Sequence, residues 1–212
     1  MQSIADIRRD YKLEKLDVHQ VAADAVQQFE SWWNEAVNSN IDEVNAMTLA
    51  TADKNGMPAA RIVLLKGYSK EGFIFFTNYE SHKGNQLLEN PFASLVFFWK
   101  ELERQIRVTG SVKKISGADS DIYFNSRPQM SKIGAWASPQ SAVIENRLVI
   151  EKQFEILAEK MAEQFIERPP QWGGYIVEPS SIEFWQGRPS RLHDRILYTR
   201  QNDHWKIERL AP

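Results

Sequence analysis

Ile182-Glu-Phe-Trp-Gln-Gly-Arg-Pro-Ser-Arg-Leu-His-Asp-Arg195 begins as an alternating strand, Ile182 and Phe184 opposed to Glu183 and Trp185, and breaks at Gly187 and Pro189. The break then gathers Arg188, Arg191, His193 and Arg195 within eight residues. Solvated turns are more often built from Gly, Ser, Asn and Asp. Guanidinium forks grip an anion in bidentate fashion, an indole offers a π face, and an imidazole handles a proton near neutral pH. The stretch therefore suits a flat anionic ligand. The competing reading is a salt-bridged edge in which Asp194 and Glu183 pair with these arginines.

Composition narrows the classes. A chain of 212 residues with 42% hydrophobic and 25% charged content reads as one globular domain spanning 1–212. Its net charge of -2 argues against a nucleic-acid partner and makes the arginine cluster a local feature aimed at a small anion. The absence of cysteine excludes disulfides, thiolate metal sites, thiol catalysis and a sulfur-tethered flavin. The four histidines, at 19, 82, 193 and 204, have no helical i, i+4 spacing, so no metal site is expected. Residues 1–20 are polar and charged, without an apolar run for export or membrane insertion, and the expected compartment is the cytoplasm.

Outward from the opening stretch, periodicity alternates between helix and strand. Residues 1–20 read as a short helix and a mobile arm carrying Arg8 and Tyr11. Asp24 and Gln27 resemble a capping box for a helix over about 25–38. The period then becomes two: strands at 46–51 and 59–68 flank an Asn55-Gly56 turn, followed by strands at 72–78, 93–100 and 104–116. A Ser81-capped helix reaches Glu89. Helices are expected at 119–126, after Pro128, and over 143–165, and the chain returns to strands at 173–186 and a hairpin over 196–210. Residues 173–212 are thus the C-terminal strands that carry the opening motif. The fold class is mainly β with flanking helices, an antiparallel sheet closed into a barrel to remove its edges.

Three further stretches carry charge suited to phosphate. Arg61-Ile-Val-Leu-Leu-Lys66 places two cations in an apolar strand, on opposite faces unless the strand bulges or bends; protective charges on an edge strand are the alternative. Ser81-His-Lys83 opens a helix, whose free N–H groups favour an anion. Tyr123, Arg127 and Ser131 recur every four residues and offer a phenol, a guanidinium and a hydroxyl to one phosphate, although Pro128 interrupts the helix between them. Together these suggest two anionic ligands.

Arg61–Lys66, Ser126-Arg-Pro128, Ser131-Lys-Ile-Gly-Ala-Trp136, Gln140-Ser141, Phe184–Arg195 and the ending Trp205–Pro212 resemble the pyridoxine/pyridoxamine 5′-phosphate oxidase family over nearly the whole chain. The resemblance implies an FMN-binding split barrel, a homodimer with two FMN sites at the subunit interface. It also implies oxidation of pyridoxine or pyridoxamine 5′-phosphate to pyridoxal 5′-phosphate by hydride transfer from C4′ to flavin N5, with O₂ reduced to H₂O₂. FMN contacts would come from Arg61, Ile62, Val63, Leu64, Leu65, Lys66, Phe76, Thr77, His82, Lys83, Gln105, Trp185 and Arg195, with Gln140 and Ser141 from the partner. Lys66, Tyr123, Arg127 and Ser131 would hold the substrate phosphate. Arg191 and His193 would flank the ring as catalytic groups, and Arg8 and Tyr11 would close over it. The sequence departs from the family at His82, where an arginine is common, and an imidazole lacks the guanidinium fork. A split-barrel flavin carrier or another reductase is the alternative; such a relative should lack the Tyr123, Arg127, Ser131 set and the Arg191-Leu-His193 triplet.

Overall fold

The computed structural model describes residues 3–6, 10–162 and 164–212, so the expected role of Arg8 lies outside the described residues. After a 3-10 turn at Ile4–Asp6 and an irregular arm over 10–24, helix α1 (Ala25–Asn38) starts where the Asp24 carboxylate accepts the N–H groups of Val26 and Gln27. Its apolar stripe fills the inside of a curled sheet. Phe29 lies edge-on to Phe73 with centroids 4.8 Å apart and near Phe97 at 5.4 Å, and Trp32 meets Phe184 at 5.3 Å.

The sheet has nine strands: β1 (Ala46–Ala52), β2 (Pro58–Leu64), β3 (Gly67–Ser69), β4 (Gly72–Asn78), β5 (Phe92–Trp99), β6 (Arg104–Lys114), β7 (Trp172–Gln186), β8 (Asp194–Gln201) and β9 (His204–Leu210). Every pairing is antiparallel, in the order β2-β1-β5-β6-β7-β4-β3, with the β8–β9 hairpin added to the second half of β7. The two ends of that order, β2 and β3, are consecutive in sequence and separated by Leu65 and Lys66 alone. The sheet must therefore curl back on itself, which is how it limits exposed edges.

β7 is the spine. It pairs with β6 along its length, with β4 through Trp172–Val177 and with β8 through Ser181–Gln186. Between these halves the register with β6 shifts at Thr109 and Gly110, and Ser180 donates its hydroxyl to Thr109 O. A Cβ at Gly110 would stand 1.9 Å from Glu178 O, so the close approach requires glycine. Gly110→Ala is expected to cost about 2 kcal/mol and to lower Tm by about 5 °C in thermal unfolding. An unchanged Tm would mean that the two strands separate freely there.

Helix α2 (His82–Glu89) is capped by Ser81, whose hydroxyl accepts Gly84 N–H, and α3 (Gly117–Ser126) is capped by Ser116 through Asp119 N–H. Helix α4 (Gln129–Ala137) follows Pro128. Helices α3, α4 and α5 (Arg147–Lys160) build a second, smaller core around Phe124, Ile133, Ile166 and Trp172, whereas Leu87 of α2 packs in the main core. Two expectations need correction. The helix expected over 143–165 is confined to α5: Val143 and Phe165 are exposed, and only Phe154, Leu157, Ala158 and Met161 of this region pack on the small core. The strand expected over 59–68 is two strands, β2 and β3. Among the described residues no helix is long and apolar enough to cross a membrane.

Candidate active site

The break between β2 and β3 resolves the facing problem at Arg61 and Lys66. Leu65 N–H donates to Asn45 O and Lys66 N–H to Ile74 O, so the chain passes from one neighbour strand to another at this point. Both cations then line one cleft of about 540 Å³, with Ile62, Val63, Leu64, Phe76, Thr77, Lys83, Tyr123, Arg127, Pro128, Ser131, Gln140 and Trp172. Leu65, expected among the cofactor contacts, instead points its side chain into the main core.

Among the described residues the cleft is lined by four cations and no carboxylate. Arg61 is anchored from below: its guanidinium donates to Leu49 O at 3.2 Å and to Thr51 Oγ1 at 2.5 Å. Lys83 Nζ donates to Thr77 Oγ1 at 3.2 Å and to Gln140 Oε1 at 3.1 Å. Burial pushes its ammonium below the ordinary lysine range, and the Arg61 charge adds to the effect. Burial likewise lowers Arg127, whose Nη1 is a buried donor without a partner among the described residues. Its guanidinium lies 4.6 Å from the Trp172 ring, beside a pile in which Phe76 stacks on Tyr123 at 3.9 Å and on Trp172 at 5.4 Å. Unpaired cations on aromatic walls favour a dianionic, planar ligand.

Pre-proline geometry delivers Arg127 there. At φ -74° and ψ 149° it ends α3 in an extended conformation, and the turn brings Tyr123 and Ser131 to the same wall despite the broken helix. Ser81-His-Lys83 is divided: Lys83 lines the cleft, whereas His82 and Ser141 line a neighbouring cavity of about 370 Å³. Gln140 lines both, and its Oε1 accepts from Thr77 and Lys83 of its own chain. Trp172 is a cleft residue that the sequence reading misses, since a tryptophan opening a strand looks like core.

The remaining expected residues form a second constellation. Gln105, Trp185 and Arg195 are register partners across β6, β7 and β8, so they share one sheet face. Arg195, however, is committed. It grips the buried Glu183 carboxylate through Nε at 2.8 Å and Nη2 at 3.2 Å, and donates to Ala211 O at 2.8 Å. Burial pushes Glu183 up, and its bonds from Arg195 and Arg107 outweigh that, holding the carboxyl below the usual range. Arg188 similarly faces Asp194 at 3.4 Å. The salt-bridged reading thus holds for these two arginines and fails for Arg191, which is exposed and has no ion pair among the described residues.

Ser190 and Arg191 both take positive φ, 56° and 62°, a conformation that non-glycine residues seldom adopt. Such strain collects at functional sites. His193 sits 4.6 Å from the Trp185 ring and 5.9 Å from Tyr11, and its Nδ1 accepts Arg188 N–H at 3.1 Å. The neutral ring therefore carries its proton on Nε2. Burial, and then the Arg191 charge, lower its pKa and favour that neutral form.

A curled antiparallel sheet with a cationic, aromatic-walled cleft defines an anion-binding split barrel. Comparison with known proteins narrows the class. Residues 33–160 match the family described as pyridoxamine 5′-phosphate oxidase, and residues 172–212 match a pyridoxine 5′-phosphate oxidase C-terminal dimerisation region. The chain belongs to the pyridoxamine 5′-phosphate oxidase family. It is 52% identical over 210 residues, 99% of each chain, to a pyridoxine/pyridoxamine 5′-phosphate oxidase of Cyanothece sp.. It is 53% identical over the full length of both chains to one from Paraburkholderia phytofirmans. Among solved structures, PhzG from Burkholderia lata, in complex with tetrahydrophenazine-1-carboxylic acid, superposes with a TM-score of 0.88 at 27% identity, covering 94% of this chain and 99% of that one. A pyridoxamine 5′-phosphate oxidase-related, FMN binding protein from Nostoc punctiforme shares the fold, with a TM-score of 0.70 at 18% identity over 91% and 99% of the two chains.

Proposed function

We propose that this protein is an FMN-dependent oxidase that converts pyridoxine 5′-phosphate and pyridoxamine 5′-phosphate to pyridoxal 5′-phosphate. The observation that carries the reading is the cleft, which among the described residues has four cations, no carboxylate and a buried Arg127 Nη1 without a partner. Those donors fit phosphate monoesters, and the cofactor and both substrates each bring one. When bound, FMN would supply a two-electron acceptor for the C4′ hydride, which O₂ regenerates with release of H₂O₂; the alcohol gives the aldehyde directly, and the amine gives an imine that water hydrolyses with loss of ammonia.

The chain's residues divide the remaining work. Arg61, Lys83, Thr77 and Gln140 form a connected polar wall for the cofactor phosphate. Lys66, Tyr123, Arg127 and Ser131 hold the substrate phosphate. Arg191 and His193 orient the ring and stabilise charge as the alcohol or amine loses its proton, which is chiefly a contribution of positioning. None of Gln105, Trp185, Arg191 and His193 lines the cleft of the same chain. In a homodimer the C-terminal face of one subunit completes the cleft of the other, and the dimerisation region at 172–212 contains three of these four residues. The family relationship and the charged, cysteine-free sequence are in keeping with a cytoplasmic enzyme.

The test is an absorbance spectrum of the purified protein, then addition of pyridoxamine 5′-phosphate without oxygen. A flavin spectrum that bleaches and recovers in air is the expected result. Bleaching by a non-phosphorylated tricyclic carboxylate alone would move the reaction toward that of a PhzG-like enzyme. An unchanged flavin spectrum would leave a flavin carrier.

A further inference from the structure

The arm before α1 crosses the C-terminal motif, and its backbone is held by charged side chains. Glu103 Oε2 accepts the N–H groups of Lys12 at 2.8 Å and Leu13 at 3.1 Å. Asp194 Oδ2 accepts Leu16 N–H at 3.1 Å, Arg188 Nη1 donates to Glu14 O at 3.2 Å, and Arg209 Nη2 donates to Leu16 O at 3.0 Å. These bonds seat Tyr11 edge-on to Trp185, 5.7 Å between centroids, and beside His193. The seat needs Gly187, where a Cβ would stand 2.6 Å from Tyr11 Cγ and 3.1 Å from Glu103 Cβ.

Glu103 occupies the node of this arrangement. It lies in the turn before β6, is 3% exposed, and takes a left-handed φ of 55°. Its carbonyl accepts Gly187 N–H at 2.7 Å and Gln186 Nε2 at 3.3 Å. One residue thus ties the arm to the point where β7 breaks into the Arg191–His193 loop. Charge-assisted bonds to two backbone donors are stronger than neutral ones.

We propose that Glu103 is a positioning residue for the oxidase reaction: its buried carboxylate holds the arm so that Tyr11 stays against Trp185 and His193, closing the substrate end of the site. The role rests on the functional reading above and acts through Tyr11; Glu103 itself touches no reacting atom. It separates holding the arm from chemistry, so its loss weakens substrate capture more than turnover.

Three variants test it in the full-length protein: Glu103→Ala, Glu103→Gln, and Lys12→Pro, which removes one donor without touching the core. Hydrogen exchange at the Leu13 and Leu16 amides reports the seat without any turnover. Exchange about tenfold faster in Glu103→Ala and Lys12→Pro is expected. KM for pyridoxamine 5′-phosphate should rise about tenfold with kcat within about twofold, and Glu103→Gln should recover part of both effects. Wild-type exchange rates in both Glu103→Ala and Lys12→Pro would overturn the proposal, as would faster exchange with an unmoved KM. Should Glu103→Ala fail to fold, Lys12→Pro decides alone. If the unsubstituted protein fails to oxidise the amine, the functional reading falls, and with it the link to the reaction; the exchange rates then decide only whether Glu103 holds the arm.

Discussion

Arg127→Met is expected to raise KM for pyridoxamine 5′-phosphate about a hundredfold, while the unliganded protein becomes as stable as before or slightly more so. Arg127 gives the cleft a guanidinium with a buried, unpartnered Nη1 and a stacking surface on Trp172. Two charge-assisted bonds to a phosphate are worth about 3 kcal/mol in binding. Without the ligand, the same group is a buried donor left unsatisfied, at a cost of about 1 kcal/mol. Methionine puts an apolar side chain where the guanidinium lies over the Phe124 and Trp172 rings, and removes that cost. Steady-state kinetics beside thermal unfolding separates the effects. A loss of Tm with an unchanged KM would make Arg127 a structural residue.

Arg191→Ala is expected to lower kcat by about a hundredfold or more, with flavin content unchanged and Tm within about 2 °C. The side chain is exposed and has no ion pair among the described residues, so its removal leaves none of their buried groups unsatisfied. The variant carries a second signature. His193 is held below its ordinary pKa first by burial and then by the Arg191 charge, so losing the guanidinium moves it part of the way back up. The acid limb of the pH-rate profile should shift to higher pH. The sign for stability follows: folding favours the neutral ring, so this contribution is present above the unfolded pKa and lost as pH falls through the folded value. Unchanged turnover would remove Arg191 from the catalytic groups.

Much of the fold is legible because its periods are clean. The stripe of Phe29 and Trp32 with the Asp24 cap marks α1 to the residue, and Gly72-Phe-Ile-Phe-Phe-Thr-Asn78 marks β4. Legibility fails where tertiary contacts override local pattern. The apolar residues on either side of α5 continue a helical stripe, yet Val143 and Phe165 find no core. The run 59–68 reads as one strand because the break at Leu65 and Lys66 is enforced by Asn45 and Ile74, which lie outside the run on either side. The cationic side chains of the cleft stand out against their apolar neighbours. Trp172 and Glu103 do not, because a tryptophan or a glutamate gains its meaning only from what packs against it. Arg195 carries a second commitment that its charge alone does not announce: a buried carboxylate opposite accepts from it.

The position of β7 bears on how the chain is made. Residues 46–114 can pair into hairpins as they leave the ribosome, yet β4 and β6 both wait for Trp172–Gln186 to fill the gap between them. Until that late segment arrives, two apolar strands present open edges, which is the condition under which nascent chains pair with one another. The last fifth of the chain therefore carries the keystone as well as the arginine loop, and a chain halted before Trp172 lacks the strand that joins β4 to β6.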